Sequence, residues 1–527
     1  MSSATAHATL TPEPIVRLEN YFQEPYNLAI ATARTCYSSR VISTGDVDKD
    51  DQSREQRDRI AESIYKAGHH TTIQHPTFQF VLEKVSRQFL WSFLHAHPFY
   101  NSEQVSQRYV EVKPEHFTIP PLDEEARTIY LDTVHDQMGA YHRLIELVEP
   151  VVAQEYRRIF PSRDVEEKRW ASAIKKRCQE VARYVLPVAT HAHLYHTISG
   201  LTLHRYWRLC QQFDVPLEQR LVVQRMVEEV SKIDPNFMNL ADEPIALEQT
   251  VEYRAFEQFH GALRNGTTQR FLEEFDQELG GRTSRLVDYK VRAQKSMAQA
   301  VRSVLGLTTD QLSDEQAIAM VLDPSKNRYL SESLTLTTMS KLSRAMVHPH
   351  FTFKKKLSHT ADSQDQRHRM VPASRPILAC HFVSGRPDYL LPPLIAASHE
   401  AEEAYRQIMA RTWLAIEKLL NLGVSEEYAL YLLPNAFPIR FEESGDLLHF
   451  HHKWVQRLCY TAQEEIWNAC RDEVLQVSER FPEIGKYIQA PCWPRSQARV
   501  SPYCPEGDRF CGVAVWRMPV NEYKRLI

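Results

Sequence analysis

Two short polar segments hold the residues with the clearest chemical potential. The stretch Asn101-Ser-Glu-Gln-Val-Ser-Gln-Arg-Tyr109 sets a hydroxyl, a carboxamide and a guanidinium side by side at Ser106, Gln107 and Arg108. A planar guanidinium fork flanked by neutral donors suits an anionic oxygen such as a phosphate. An ordinary surface turn could carry the same residues. Against that reading, Gln-Arg recurs far downstream as Gln366-Arg367, with His368 and Arg369 alongside. Further cations stand at Arg183, before a Val-Leu-Pro entry, and at Arg208 and Arg457, each followed by Leu-Cys. A helical arginine beside Trp207 and Leu209 can equally be a packed, snorkelling side chain.

A second constellation is Gly68-His69-His70-Thr71-Thr72-Ile73-Gln74-His75. Imidazoles, hydroxyls and a carboxamide in sequence form a dense hydrogen-bonding rim, able to hold a polar cofactor edge or to cap a helix end. Histidines also cluster at His95/His97, His191/His193/His196, His348/His350 and His449/His451/His452. Residues i and i+2 share a strand face. No carboxylates stand at ligand spacing beside them, so no catalytic metal is expected. Cys492, Cys504 and Cys511 lie in a Pro- and Arg-rich tail without a CxxC. They read as free thiols or as part of a structural zinc site.

These residues need elements to position them. Apolar spacing predicts helices over 25–37 and 51–67 and a strand from Phe78 to Val85, followed by a helical segment from Ser86 to Phe93. The polar run 101–110 reads as a site loop. Two or three helices occupy 123–182, a strand runs from Ala189 to Ile198, and helices follow over 201–212 and 217–232. A linker is expected near 234–248. The second part reads as helices from 250 to 322, a short strand at 350–353, a polar segment over 358–369, and helices over 394–422 and 446–479.

The order of these pieces is itself a repeat. Arg17 and Arg34 recur as Arg285 and Arg302, each 268 residues later. His75-Pro-Thr-Phe-Gln-Phe recurs as His348-Pro-His-Phe-Thr-Phe, 273 later. Val181-Ala-Arg-Tyr-Val-Leu-Pro187 returns as Tyr428-Ala-Leu-Tyr-Leu-Leu-Pro434, with Leu430 in the place of Arg183. The drifting offset is what loop insertions and deletions produce.

At 527 residues the chain suits two large domains. A formal charge of −4 argues against coating of nucleic acid, which needs a basic face, while leaving room for a local phosphate pocket. No apolar run approaches a membrane span, and residues 1–7 lack the pattern of a signal peptide, so a cytoplasmic protein is expected. Fifteen glycines against 29 prolines point to long helices and no Gly-rich phosphate loop.

Taken in order, the blocks resemble the flavin-dependent thymidylate synthase (ThyX) family. They are Ala33-Arg-Thr-Cys-Tyr-Ser38, Gly68 through Phe80 with Gln74 where the family has Glu, Ser86-Arg87, Ser106-Gln-Arg-Tyr109, Ala182 through Pro187, and Arg457 with Ala462-Gln-Glu-Glu-Ile466. Where the family signature opens Arg-His-Arg, this chain reads His95-Ala96-His97. Where the family has Asn-x-Arg before its last helix, it reads Thr197-Ile-Ser-Gly200 and Glu443-Ser-Gly-Asp446.

The resemblance implies an α/β (α+β) fold of two tandem ThyX-like domains, each a mostly antiparallel sheet with helices packed around it. The divisions would be a flexible arm over 1–15, domains over 16–245 and 246–490, and a tail over 491–527. It implies reductive methylation of dUMP to dTMP, with FAD as cofactor and NADPH and methylenetetrahydrofolate as co-substrates. Ser106, Gln107, Arg108, Arg183 and Arg367 would hold the nucleotide. His69, Thr71, Gln74, His95 and His97 would face flavin, and Arg208 or Arg457 would sit against the pyrimidine. A homodimer would then reproduce the family's tetramer. Two alternatives stand beside this reading: a noncatalytic nucleotide-binding scaffold, and a flavin enzyme for another pyrimidine nucleotide.

Overall fold

The computed structural model describes residues 9–94, 99–161, 163, 167–211, 213–239, 241–260, 264–522 and 525. Two four-stranded sheets organise them. In the first, β1 (Ile15–Tyr21), β2 (Thr77–Ser86), β3 (Tyr100–Gln104) and β4 (His191–Ser199) take the order β1-β2-β4-β3. In the second, β5 (Ser284–Tyr289), β6 (His350–Ser358), β7 (Ala373–Ser374) and β8 (Pro438–Asp446) take the order β5-β6-β8-β7. Every pairing is antiparallel. The expected class and the doubling are both present.

Alternation explains the central strands. Phe78, Phe80 and Leu82 on β2, and Phe351 and Phe353 on β6, point to one face and are fully buried. The registers coincide: Phe80 lies opposite His196, and Phe353 lies opposite Glu443. β2 carries one extra residue, at a bulge where Lys84 takes φ 56°. That residue accounts for the change in offset between the His-Pro blocks and the serines that follow them, Ser86 and Ser358.

Helices of the first half that matter here are α1 (Pro25–Thr35), α2 (Arg87–Leu94), α3 (Glu124–Ile159), α4 (Lys168–Ala182), α5 (Gly200–Arg208) and α6 (Pro216–Ile233). In the second half they are α7 (Val251–His260), α8 (Ala293–Leu305), α9 (His359–Asp365), α10 (His399–Asn421), α11 (Leu447–Arg457) and α12 (Glu464–Arg480). Ser86 and Ser358 begin α2 and α9 alike: each hydroxyl accepts from the backbone N–H three residues on, at 2.8 and 3.1 Å.

The segment expected to be wholly a loop over 101–110 begins as β3. The region 250–322 is interrupted by β5, and the polar segment 358–369 contains α9. The strands β1, β5, β7 and β8 were not separately expected. Each is mixed in polarity or lies against a helical pattern, and pairing with β2, β6 or β8 decides its state.

The halves meet through matched segments. Val188 N–H donates to the Leu433 carbonyl and Ala189 N–H to Tyr431, at 2.8 and 3.0 Å. In return Asn435 N–H donates to Leu186 and Ala436 N–H to Tyr184, at 2.8 and 2.9 Å. Pro187 and Pro434 face each other at the centre. α3 packs along α10. One apolar core runs through the seam, joining Trp91 and Tyr130 to Tyr405, Trp413 and Tyr431, while Phe351, Phe353 and Trp454 belong to a second core. The halves are fused through shared core rather than tethered.

Candidate functional site: an arginine-walled cleft at the seam

Both halves supply one cleft of about 360 Å³. From the first come Arg87, the segment Glu103–Tyr109 and Arg183; from the second come Thr360, Ser363, Gln364, Arg367, Asn435 and Arg457. Five arginines face this space, and Glu103 is the one carboxylate among the lining residues.

Local structure explains how each arrives. Arg87 is the first residue of α2, turned toward β3. Its Nη1 donates to Gln104 Oε1 at 3.2 Å and its Nη2 to the Val105 carbonyl at 2.8 Å, while its buried Nε has no partner. Arg183 follows α4. Its Nε donates to the Glu180 carbonyl at 3.2 Å and its Nη2 to Gln463 Oε1 at 2.9 Å. Arg457 ends α11, with Nε on His368 Nε2 at 2.9 Å and Nη2 on the Gln364 carbonyl at 2.8 Å. Arg367 is exposed at the mouth. Arg108 alone of the five has a carboxylate, donating from Nε to Glu180 and from Nη2 to the Thr461 carbonyl at 2.8 Å.

Four guanidiniums thus converge with no carboxylate in direct ion-pair contact, Glu180 acting on Arg183 from nearby. Burial, then Arg183 and Arg367, bring the Arg87 guanidinium down to about 9. Burial likewise lowers Arg183 and Arg457. Burial pushes the Glu180 carboxyl up, but Arg108, Arg177 and Arg183 outweigh it and bring it to about 2. A buried charge without a counter-charge is costly, and an anionic ligand is the natural complement. Guanidiniums and an orphaned N–H suit phosphate oxygens.

The other side of the seam shows what happens when this set is changed. Residues matched by position to the cleft, Gln88 and Leu430, line a second cavity of about 330 Å³ together with Glu427. Gln88 matches Thr360, each second after its capping serine. Leu430 matches Arg183. Helix α7 covers this cavity with Tyr253, Phe256 and Glu257, and Phe256 packs on Phe213 with ring centroids 4.8 Å apart. Burial pushes the Asp214 carboxyl there up to about 7 and Glu427 to about 8. Of these two cavities, the first is therefore cationic and the second apolar and acidic.

Ser106, Gln107, Arg108, Arg183, Arg367 and Arg457, singled out from the sequence, stand together in the cationic cleft. Gln107 is tied across the seam, donating to Thr190 Oγ1 at 3.0 Å and accepting from Asn435 at 3.2 Å. Arg208 lies elsewhere: α5 is two residues shorter than α11, and its terminal arginine is exposed and donates to the Glu243 carbonyl. His69, Thr71 and Gln74 form an exposed rim after Gly68, whose φ of 76° turns the chain out of the preceding helix. This rim packs on α1 and α5, away from the cleft. His95 and His97 lie outside the described residues.

Arg87, Gln364 and Asn435 received no role from sequence. For Arg87 the signal was available: the residue after the matched serine is Arg in one half and His359 in the other.

A flavin dinucleotide needs donors for its ring edge and cations for its pyrophosphate. The rim fits the first requirement, and Thr72 Oγ1 behind it has no hydrogen-bond partner. Cations for the second line a groove of about 970 Å³ at the matching place in the other half, among them Lys290, Arg292, Lys295, Lys341 and Arg344 beside α8. No group of three His, Cys, Asp or Glu side chains able to hold a metal is found among the described residues. None of the nine cysteines forms a disulfide. Cys492, Cys504 and Cys511, for which a zinc was considered, do not form such a metal-holding group. No helix among the described residues is long and apolar enough to cross a membrane.

A sheet-and-helix unit present twice, with an arginine-walled cleft at its seam, defines a duplicated α/β protein with unlike halves. The chain belongs to the thymidylate synthase complementing protein family, whose model matches residues 17–236 and again 285–483. It is similar to a flavin-dependent thymidylate synthase of Clostridium tetani, 28% identical over 224 residues that span 42% of this chain and 84% of that protein. The corresponding protein of Nitratidesulfovibrio vulgaris is 27% identical over 212 residues, 38% of this chain and 76% of its own length. That of Corynebacterium diphtheriae is 26% identical over 164 residues, 31% and 57% respectively.

Proposed function

We propose that this chain is a flavin-dependent thymidylate synthase-type enzyme that methylates dUMP to dTMP, with its nucleotide in the seam cleft. The observation that carries the proposal is the convergence of Arg87, Arg183, Arg367 and Arg457 without carboxylate partners, in a chain of this family. Arg183, Arg108, Arg87 and the Ser106 hydroxyl hold the phosphate, with Arg367 at the entrance. Arg457, at the end of α11, stands against the pyrimidine and stabilises negative charge that grows on the ring during attack at its C5–C6 bond. His368 accepts from Arg457 Nε and fixes the direction in which the guanidinium points.

When bound, FAD would supply the hydride, with methylenetetrahydrofolate giving the carbon and NADPH the electrons. The His69–Thr71–Gln74 rim would meet the ring edge, and the Lys290–Arg344 groove suits a pyrophosphate. Rim and groove lie on different halves, which favours a homodimer in which two chains complete the flavin sites. The divisions 16–245 and 246–490, with a separate tail over 491–527, and a cytoplasmic location belong to the same proposal.

The test is to incubate the purified full chain with dUMP, FAD, NADPH and methylenetetrahydrofolate. Formation of dTMP that depends on added flavin is the expected result. Tight dUMP binding with no flavin uptake and no product would favour the noncatalytic scaffold instead.

A further inference from the structure

Beneath the cleft lies a cluster of five ionisable side chains with almost no exposure. Lys355 Nζ, on β6, is 3.1 Å from Asp365, 3.1 Å from Glu443 and 2.9 Å from Glu473. Lys453 Nζ, on α11, is 2.9 Å from Asp365 and 2.5 Å from Glu443. Glu473, on α12, also accepts from Ser284 Oγ and Trp454 Nε1, at 3.0 and 2.6 Å. Each of the five is 0–1% exposed.

The duplication supplies an internal control. Counting from matched anchors (the paired strand residues, the two capping serines, the caps of α5 and α11, and Glu218 with Glu465), the same five places in the first half are Leu82, Phe93, His196, Tyr206 and Met226. These form a mostly apolar packing. Phe93 and Tyr206 have ring centroids 4.4 Å apart, and His196 Nε2 meets the Tyr206 hydroxyl at 3.1 Å. The scaffold can therefore be filled without buried charge. Replacing buried ion clusters by well-packed apolar groups is often neutral or stabilising, so stability alone does not account for the charged version.

What the charged version adds is a fixed link to the cleft. Lys453 stands four residues before Arg457 on one face of α11. Asp365 directly follows Gln364, whose carbonyl accepts from Arg457, and stands three residues before His368, whose ring accepts from Arg457. The cluster thus grips both the helix that carries Arg457 and the segment that orients it. We infer that Lys355, Lys453, Asp365, Glu443 and Glu473 are positioning residues that set Arg457 and His368 at the cleft wall. This inference rests on the cleft being the nucleotide site. Burial and then Arg457 hold His368 well below the usual histidine range, with Lys453 and His452 acting in the same direction and Asp365 opposing. His368 is then neutral and able to accept.

The test compares the full-length protein with a graft carrying the first-half residues Lys355→Leu, Asp365→Phe, Glu443→His, Lys453→Tyr and Glu473→Met. Three quantities are read: thermal unfolding, dUMP affinity by calorimetry, and the pH dependence of the His368 ring resonance between pH 5 and 8. The graft is expected to unfold cooperatively, to bind dUMP at least tenfold more weakly and to show a titrating His368. Arg457→Ala should cost at least tenfold in the wild type but less than twofold in the graft. If the graft does not fold, Lys453→Met is read in its place, with Lys453→Arg expected to recover binding. Unchanged dUMP affinity in a folded variant, additive losses with Arg457→Ala, or an unaltered His368 resonance would overturn the inference. If the wild type binds no dUMP, the functional proposal is what fails, and the cluster is judged by the His368 resonance alone.

Discussion

Tyr431 of the second half donates its hydroxyl to the Glu218 carboxylate of the first at 2.6 Å, in the buried seam. Tyr184 of the first half makes the reciprocal bond to Glu465 of the second. Each carboxylate also accepts from the N–H and hydroxyl of a capping serine, Ser86 or Ser358. Burial and then the facing carboxylates hold both phenols well above the usual tyrosine range, so they remain donors.

The two tyrosines should differ in function. Tyr431→Phe is expected to cost about 1–3 kcal/mol of stability, the range for a lost bond to a charged group that stays buried. Tyr184 also accepts from Gln463, which in turn holds Arg183 at 2.9 Å. Tyr184→Phe should therefore lose similar stability and weaken dUMP binding as well, whereas Tyr431→Phe should leave binding intact. Denaturant titration and calorimetry on the pair check this, and equal effects of both variants on dUMP binding would contradict it.

Arg183→Leu installs the residue found at the matching place, Leu430. It removes a charge-assisted hydrogen bond to the nucleotide phosphate, so dUMP affinity should fall by about 1.5–3 kcal/mol, tenfold or more. The thermal midpoint should fall little, because the buried charge lost is offset chiefly by Glu180, already paired with Arg108 and Arg177; thermal unfolding of the variant checks this.

Arg87→His installs the residue found after Ser358. Loss of the orphaned Nε donor and of part of the positive charge should weaken dUMP binding about tenfold and flatten its salt dependence. A binding isotherm repeated at two salt concentrations reads both effects.

The acidic cavity predicts a pH effect with a definite sign. Asp214 and Glu427 have folded-state values raised to about 7 and about 8, above their ordinary carboxylate values, chiefly by burial. Their contribution to stability is fully present below the ordinary carboxylate range and is lost as pH rises toward 8. Asp214→Asn with Glu427→Gln should therefore raise the thermal midpoint at pH 8 more than at pH 5. The amide oxygens can still accept from Leu378 and Leu217, as the carboxylates do at 2.9 Å in each case.

Much of this arrangement was legible in the sequence, for identifiable reasons. Phe78/Phe80 and Phe351/Phe353 announce their strands by strict alternation, and the repeated blocks announce the doubling. Ser106, Arg108 and Arg183 stand out because arginine beside small polar groups is a phosphate pattern wherever it lies in the chain. The rest depends on long-range pairing. β8 reads as the approach to a helix until it pairs along the whole of β6, and β5 is hidden among helical segments. Arg208 and Arg457 share a Leu-Cys context, but a helix longer by two residues sends only Arg457 to the cleft. The buried lysines 355 and 453 lie on otherwise ordinary amphipathic elements. Nothing local marks them as enclosed, and only the packing of α9, α11 and α12 around β6 and β8 surrounds them with carboxylates.

The most direct measurement is a calorimetric titration of the full chain with dUMP, repeated on Arg183→Leu. One nucleotide per chain, with affinity that weakens as salt rises and falls tenfold or more in the variant, is the predicted result. Two nucleotides per chain, or binding indifferent to Arg183→Leu, would contradict one nucleotide site in the arginine-walled cleft.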